Sequence, residues 1–109
     1  MSDIISIDDF KKADIRIGEI KHAEKVADTD KLLRLLVNFG SEERQIISGI
    51  SSYFPDPEVL ISRKVAFAYN LEPRIIRGLE SQGMILAAMG EDGVMSLLEA
   101  TAAPGAKVQ

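Results

Sequence analysis

Apolar and polar residues alternate in twos along most of this chain, and a helical period of 3.6 is nearly absent. "KLLRLLVNFG" sets Leu33, Leu35, Val37 and Phe39 on one face and Leu32, Arg34, Leu36 and Asn38 on the other. That pattern predicts a strand with one buried face. "GSEE" supplies a turn and "RQIISG" reads as the returning strand of a hairpin. Upstream, "DIRIGEI" alternates Ile15 and Ile17, then slips at Gly18 before Ile20, which predicts a bulge or sharp bend at the glycine. Downstream, "RKVAFAYNL" alternates Val65, Phe67 and Tyr69, "GMILAAM" reads as a short buried run, and "GVMSLLEA" adds a last strand. In "ISSYFPDPEVLIS", Pro55 and Pro57 exclude a long helix but allow a short helical turn over residues 57–61. Tyr53 and Phe54 are expected to cover the bottom of the core. "SIDDF" predicts a short opening helix with Ser6 as its cap.

Three strands, a short helix and two further strands is the element order of an OB-fold, a five-stranded Greek-key barrel that leaves few open edges. The fold class expected is therefore mainly all-β, with extra C-terminal strands. Periodicity alone does not separate this from another small barrel with the same elements. In the OB arrangement, the loops "KHAEKVADTDK" and "NLEPRIIRGLESQG" lie at one mouth.

Composition narrows the class. The 109 residues suit a single domain spanning 1–109, and 46% hydrophobic content is enough for a core without staples. There is no cysteine, so disulfides and thiolate metal sites are excluded. The N-terminus carries acids where a secretory signal has cations, and the apolar runs are too short to span a membrane. A cytoplasmic protein is expected. The net charge of −4 opposes nucleic-acid binding in the far field, but its distribution is uneven. Residues 63–81 hold Arg63, Lys64, Arg74 and Arg77 against only Glu72 and Glu80.

Catalytic signatures are weak. His22 is the sole histidine and reads as an exposed loop residue, since a metal site needs several converging ligands. Ser48, Ser51, Ser52 and Ser81 have no evident base, and "GLESQG" lacks the Lys-Ser/Thr ending of a phosphate loop. No enzyme activity, cofactor or metal is expected.

Binding chemistry is better represented. Arg74 and Arg77 flank the isoleucines of a segment stiffened by Pro73, and guanidinium forks match phosphate oxygens. Asn70, Ser81 and Gln82 add neutral polar groups, and Met84 adds a soft apolar one. The competing reading pairs the arginines with Glu72 and Glu80 and buries Met84. Lys31, Arg34 and Arg44 make a second basic group, although Arg34 and Arg44 also serve simply to keep an outer hairpin face soluble. Only six aromatic rings are present, and several share the buried phase of their strands. Recognition of a folded RNA by backbone and shape therefore fits better than base stacking on a platform.

"DFKKADIRIGEI", "DKLLRLLVNFGSEERQIISGI" and "NLEPRIIRGLESQGMILAA" resemble the stand-alone tRNA-binding proteins. They also resemble the C-terminal domain of many methionyl-tRNA synthetases and the endothelial-monocyte-activating polypeptide group. The resemblance covers nearly the whole chain. It implies an OB-fold that binds tRNA by shape, as a homodimer or as a synthetase appendage. Carried onto this chain, it implies tRNA contacts at Lys31, Arg34, Arg44, Ser48, Asn70, Arg74, Arg77, Ser81 and Met84. It also implies an alternative, because a dimeric bacterial subgroup acts as a peptide-binding export chaperone. A third possibility is a pure assembly domain for a synthetase. A domain starting directly at Met1 suggests a free-standing product. Two departures stand out. "KVADTDK" lacks the proline of the relatives' loop, and Ile75-Ile76 stands where relatives often place Lys or Arg, so weaker tRNA affinity is expected.

Overall fold

The computed structural model describes residues 3–109; Met1 and Ser2 lie outside the described residues. A four-residue helix α1 (Ile7–Phe10) opens the described chain. The Ser6 hydroxyl accepts the Asp9 N–H at 3.0 Å, as the cap signal required. The strands are β1 (Ile15–Lys25), β2 (Leu33–Asn38), β3 (Glu43–Ser48), β4 (Lys64–Ala68), β5 (Arg74–Ile76), β6 (Leu79–Ser81), β7 (Met84–Ile85), β8 (Ala87–Met89) and β9 (Met95–Leu97). Between β3 and β4 lie two 3₁₀ turns, Ser51–Tyr53 and Pro57–Leu60. The second is the short helical turn expected after Pro57.

One antiparallel sheet, ordered β3-β2-β1-β4-β7, curls into an OB-type barrel. β1 bends to serve two neighbours, pairing β4 through Ile15–Glu19 and β2 through Glu19–Lys25. The C-terminal tail fills the edge of β1 that β2 leaves open. Ile17 donates to the Ala106 carbonyl at 2.9 Å, and Val108 donates to the Ile15 carbonyl at 2.7 Å. β8 and β9 form a separate two-stranded ribbon, so the final strand is present.

The expected inward face is the buried one: Leu33, Leu35, Val37, Phe39, Val65, Phe67 and Tyr69 all lie in the core with Ile20, Ile46 and Leu60. Burying each large aliphatic side chain contributes about 1.5–3 kcal/mol. Phe39 meets the edges of Phe67 and Tyr69 at centroid separations of 5.4 and 4.9 Å.

Several expectations need correction. The bulge falls at Lys21, where the register jumps between Ile20 and His22; Gly18 stays in the ladder opposite Val65. Its glycine has a packing cause, since a Cβ there would lie 2.4 Å from Val37 Cγ1 and 2.8 Å from the Phe39 ring. β1 continues to Lys25, so the first loop begins at Val26 and His22 stands on a strand, exposed. "GMILAAM" is not a buried run: Ile85 is buried, whereas Met84 and Ala87–Met89 are exposed. Phe54 packs against the core, but Tyr53 is 46% exposed and is not among the residues packed against the core cluster. No helix among the described residues is long and apolar enough to cross a membrane.

Candidate nucleic-acid interface

The segment read as one long loop, residues 70–83, is itself a hairpin. β5 pairs with β6 in the register Arg74↔Ser81, Ile75↔Glu80, Ile76↔Leu79. Arg77 and Gly78 form the two-residue turn with φ of 53° and 78°, the left-handed pair that a type I′ hairpin needs. Glycine takes that region freely; Arg77 enters it against steric preference, and its side chain projects into solvent from the tip.

The hairpin tip meets the loop between β1 and β2, as the barrel topology required. Thr29, Asp30, Lys31 and Leu32 face Ile76 and Arg77 across an open groove of about 430 Å³. The loop is braced from within: the Thr29 hydroxyl donates to the Val26 carbonyl at 2.8 Å, and Val26 N–H donates to Leu32 at 3.1 Å. The Lys31 carbonyl accepts the Ser51 N–H at 2.9 Å. This fixes the backbone of Lys31 while its side chain stays exposed.

The nine residues singled out from sequence separate into two groups. Lys31, Arg74 and Arg77 are exposed and form no ion pair among the described residues, so the suggested pairing of the arginines with Glu72 and Glu80 is not made. Met84 is 49% exposed on β7, not a core residue. Ser48 is half-buried at the end of β3 opposite Leu33.

The other group is committed to the scaffold. Asn70 accepts the Asp14 N–H at 2.8 Å and donates to the Lys12 carbonyl at 2.7 Å, fastening the segment ahead of β1. Ser81 is 4% exposed and its hydroxyl accepts the Ile47 N–H at 3.0 Å. Arg44 donates to the carbonyls of Tyr69 at 2.7 Å and Gln82 at 3.2 Å, and to Glu42 at 3.3 Å. Arg34 is intermediate: Nε donates to Gln45 Oε1 at 2.7 Å and one terminal nitrogen to Glu24 at 3.0 Å, with 29% of its side chain exposed.

Beneath the hairpin's root, Tyr69 lies between two guanidinium groups, Arg44 at 3.5 Å and Arg16 at 4.1 Å from the ring centroid. Its hydroxyl donates to Glu42. That hydrogen bond, with Arg44 beside it, holds the Glu42 carboxyl below the usual range. Burial, then the Glu42 contact, raises the Tyr69 hydroxyl. Asp14 is lowered chiefly by its hydrogen bond from Arg16. The charges in this cluster thus neutralise one another, whereas those at the mouth do not.

Gln45 is the residue that sequence reading passed over, and Gln82, read there as a free polar group, is bound to it. Gln82 Oε1 accepts the Gln45 N–H at 3.1 Å while the Gln82 N–H donates to the Gln45 carbonyl at 2.8 Å. Gln45 Nε2 in turn donates to the Glu80 carbonyl at 2.8 Å. The one advance signal for Gln45 is its position, on the outward phase of the strand at the end of the sheet. No group of three or more His, Cys, Asp or Glu residues able to hold a metal occurs among the described residues.

Comparison with known proteins gives this site its context. A family model described as "Putative tRNA binding domain" matches residues 15–107. The methionine–tRNA ligase of Caldanaerobacter subterraneus is 50% identical over 96 residues, covering 88% of this chain and 15% of the ligase. The chain thus spans about one-seventh of the length of that ligase. The crystal structure of a MetRS-related protein from Pyrococcus horikoshii superposes with a TM-score of 0.92 at 40% identity, covering 99% of this chain and 100% of that one. The chaperone CsaA of Bacillus anthracis superposes with a TM-score of 0.85 at 27% identity, covering 98% and 100%. By the extent of the family match and the full-length likeness to the Pyrococcus protein, this chain belongs to the tRNA-binding domain family.

Proposed function

We propose that this chain is a non-catalytic module that binds folded tRNA through its backbone and shape, in the cytoplasm. It acts as a free-standing homodimer or as an appendage of a methionyl-tRNA synthetase. The observation that carries the reading is the mouth of the barrel. Lys31 and Arg77 border one groove, which Asp30 also lines, Arg74 stands on the same hairpin, and none of the three forms an ion pair among the described residues. Exposed unpaired cations on a braced loop and a hairpin suit phosphate oxygens at fixed spacing. The apolar Ile75, 69% exposed between the two arginines, adds no charge. Together with the net charge of −4, this supports modest affinity. Ser81 and Asn70 act by shaping the loop, and Met84 offers an apolar contact beside it.

A second surface supports the homodimer. Ile4, Ile5, Ile7 and Phe10 are exposed at 99, 60, 66 and 44%. Of these, Ile7 and Phe10 border, with Val108, an apolar groove of about 320 Å³ between α1 and the C-terminal tail. Such a patch favours association with a second copy. Sedimentation at micromolar concentration is expected to give a dimer; a monomer removes this part of the reading.

Similarity to a CsaA chaperone supports the alternative of a peptide-binding module. Salt-titrated binding to folded tRNA, beside an unstructured RNA of equal length and an unfolded polypeptide, separates the two. Preference for folded tRNA with a steep salt dependence is expected. Binding of the polypeptide with no preference among RNAs favours the chaperone instead.

A further inference from the structure

The hairpin carrying Arg74 and Arg77 is joined to β3 in an unusual way. β3 ends the five-stranded sheet, and Arg44, Ile46 and Ser48 face β2 in its register opposite Val37, Leu35 and Leu33. The intervening residues, Gln45 and Ile47, turn their N–H groups outward. Both are received by side chains: Gln82 Oε1 at 3.1 Å and Ser81 Oγ at 3.0 Å. The seam contains one backbone–backbone bond, Gln82 N–H to the Gln45 carbonyl at 2.8 Å.

Within that seam, the Gln45 side chain faces both ways. Its oxygen accepts Arg34 Nε at 2.7 Å and its nitrogen donates to the Glu80 carbonyl on β6 at 2.8 Å. A neutral side-chain amide of this length accepts from a guanidinium and donates to a carbonyl at once. Arg34 is also held by Glu24 at 3.0 Å through one terminal nitrogen, and its other terminal nitrogen makes no hydrogen bond among the described residues. The guanidinium is thus oriented with one donor edge to spare.

We infer that Gln45 is a positioning residue that joins Arg34 to the β5–β6 hairpin, so that Arg34, Arg74 and Arg77 present one rigid phosphate-binding surface. The inference rests on the tRNA-binding reading and extends it: it adds Arg34 to the contact group of Lys31, Arg74 and Arg77, held in place by a neutral side chain that touches no RNA. A scaffold glutamine without this role affects folding stability alone. A coupling glutamine also affects how many phosphates are engaged.

The test compares wild-type chain, Gln45→Met, Arg34→Met and the double variant. Each is titrated with folded tRNA over a salt series at a temperature where circular dichroism shows it folded. Gln45→Met keeps the length and removes both hydrogen bonds. Expected are roughly tenfold weaker binding, a log–log salt slope reduced by about 0.7–0.9, and strong non-additivity with Arg34→Met. Gln45→Glu, which keeps the acceptor for Arg34 and loses the donor to Glu80, guards against a folding failure of the methionine variant. Its carboxylate pairs directly with the guanidinium, so it too is expected to weaken binding and to be strongly non-additive with Arg34→Met. Unchanged slope and additive effects in a folded Gln45→Met protein overturn the inference while leaving tRNA binding intact. Absence of tRNA binding by the wild-type chain overturns the underlying reading instead.

Discussion

The β1–β4 ladder and the β3–β6 seam are two joins of the same fold held by different means. Between β1 and β4, Ile15–Glu19 run opposite Lys64–Ala68 through backbone hydrogen bonds that do not depend on side-chain acceptors. Along the seam, Ser81 and Gln82 supply most of the acceptors that a neighbouring strand would otherwise provide. The first arrangement is insensitive to sequence once the apolar face is buried. The second depends on individual polar residues, which makes the hairpin it carries the part that sequence change retunes most easily.

The comparison is broken hardest from the core side. Leu35→Ala, at a fully buried position of β2, is expected to cost about 2–5 kcal/mol, read as a lower urea midpoint with unchanged slope. Gly18→Ala tests the close approach of β1 to Val37 and Phe39 and is expected to cost about 1–3 kcal/mol by overpacking. A neutral result would mean that the Phe39 ring moves aside freely.

Ser81→Ala sharpens the comparison on the other side. It strands the buried Ile47 N–H, at a cost of about 1–3 kcal/mol. The distinguishing readout is hydrogen exchange. Ile47 is expected to lose protection far more than Tyr69, whose N–H is held by the Asp14 carbonyl at 2.7 Å at the end of the β1–β4 ladder. Equal loss at both sites would show that the seam and the ladder open together.

The smallest effect expected is on acid stability. Asp14 and Glu42 are lowered by their hydrogen bonds with Arg16 and Tyr69, and Glu99 by that from Arg63. Groups with lowered folded values stabilise above the unfolded carboxylate range. That contribution is lost as pH falls below about 4.5 through the folded values. These groups are exposed enough for solvent to screen them, so only a shallow decline is expected, detectable as a smaller pH slope in Asp14→Asn. An unchanged slope in that variant removes Asp14 from the acid response.

Much of this division was legible in the sequence. Strict alternation at Leu33, Leu35, Val37, Phe39, Val65, Phe67 and Tyr69 gave the inner face, because a pleated strand has only two sides. The shared mouth of the two loops followed from element order, and Lys31 and Arg77 do face one groove. The hairpin within residues 70–83 was hidden because Arg-Gly is not among the dipeptides that usually mark a type I′ turn. Asn70, Arg44 and Ser81 were read as contact residues, and polarity alone does not reveal that each also bonds a distant backbone group. Asn70 reaches Asp14 and Ser81 reaches Ile47, pairings across many residues of chain. "GMILAAM" misled for the opposite reason: apolar composition does not tell a core strand from an exposed ribbon.

The central claim is that the unpaired cations at the mouth meet phosphates without contributing to the fold. Its direct test is the salt dependence of tRNA binding by the Lys31→Ala, Arg74→Ala, Arg77→Ala triple variant beside the wild-type chain. The account predicts stability within about 0.5 kcal/mol of wild type and a salt slope reduced by roughly 2–3. An unchanged slope in a folded triple variant would contradict it and place the RNA on another face.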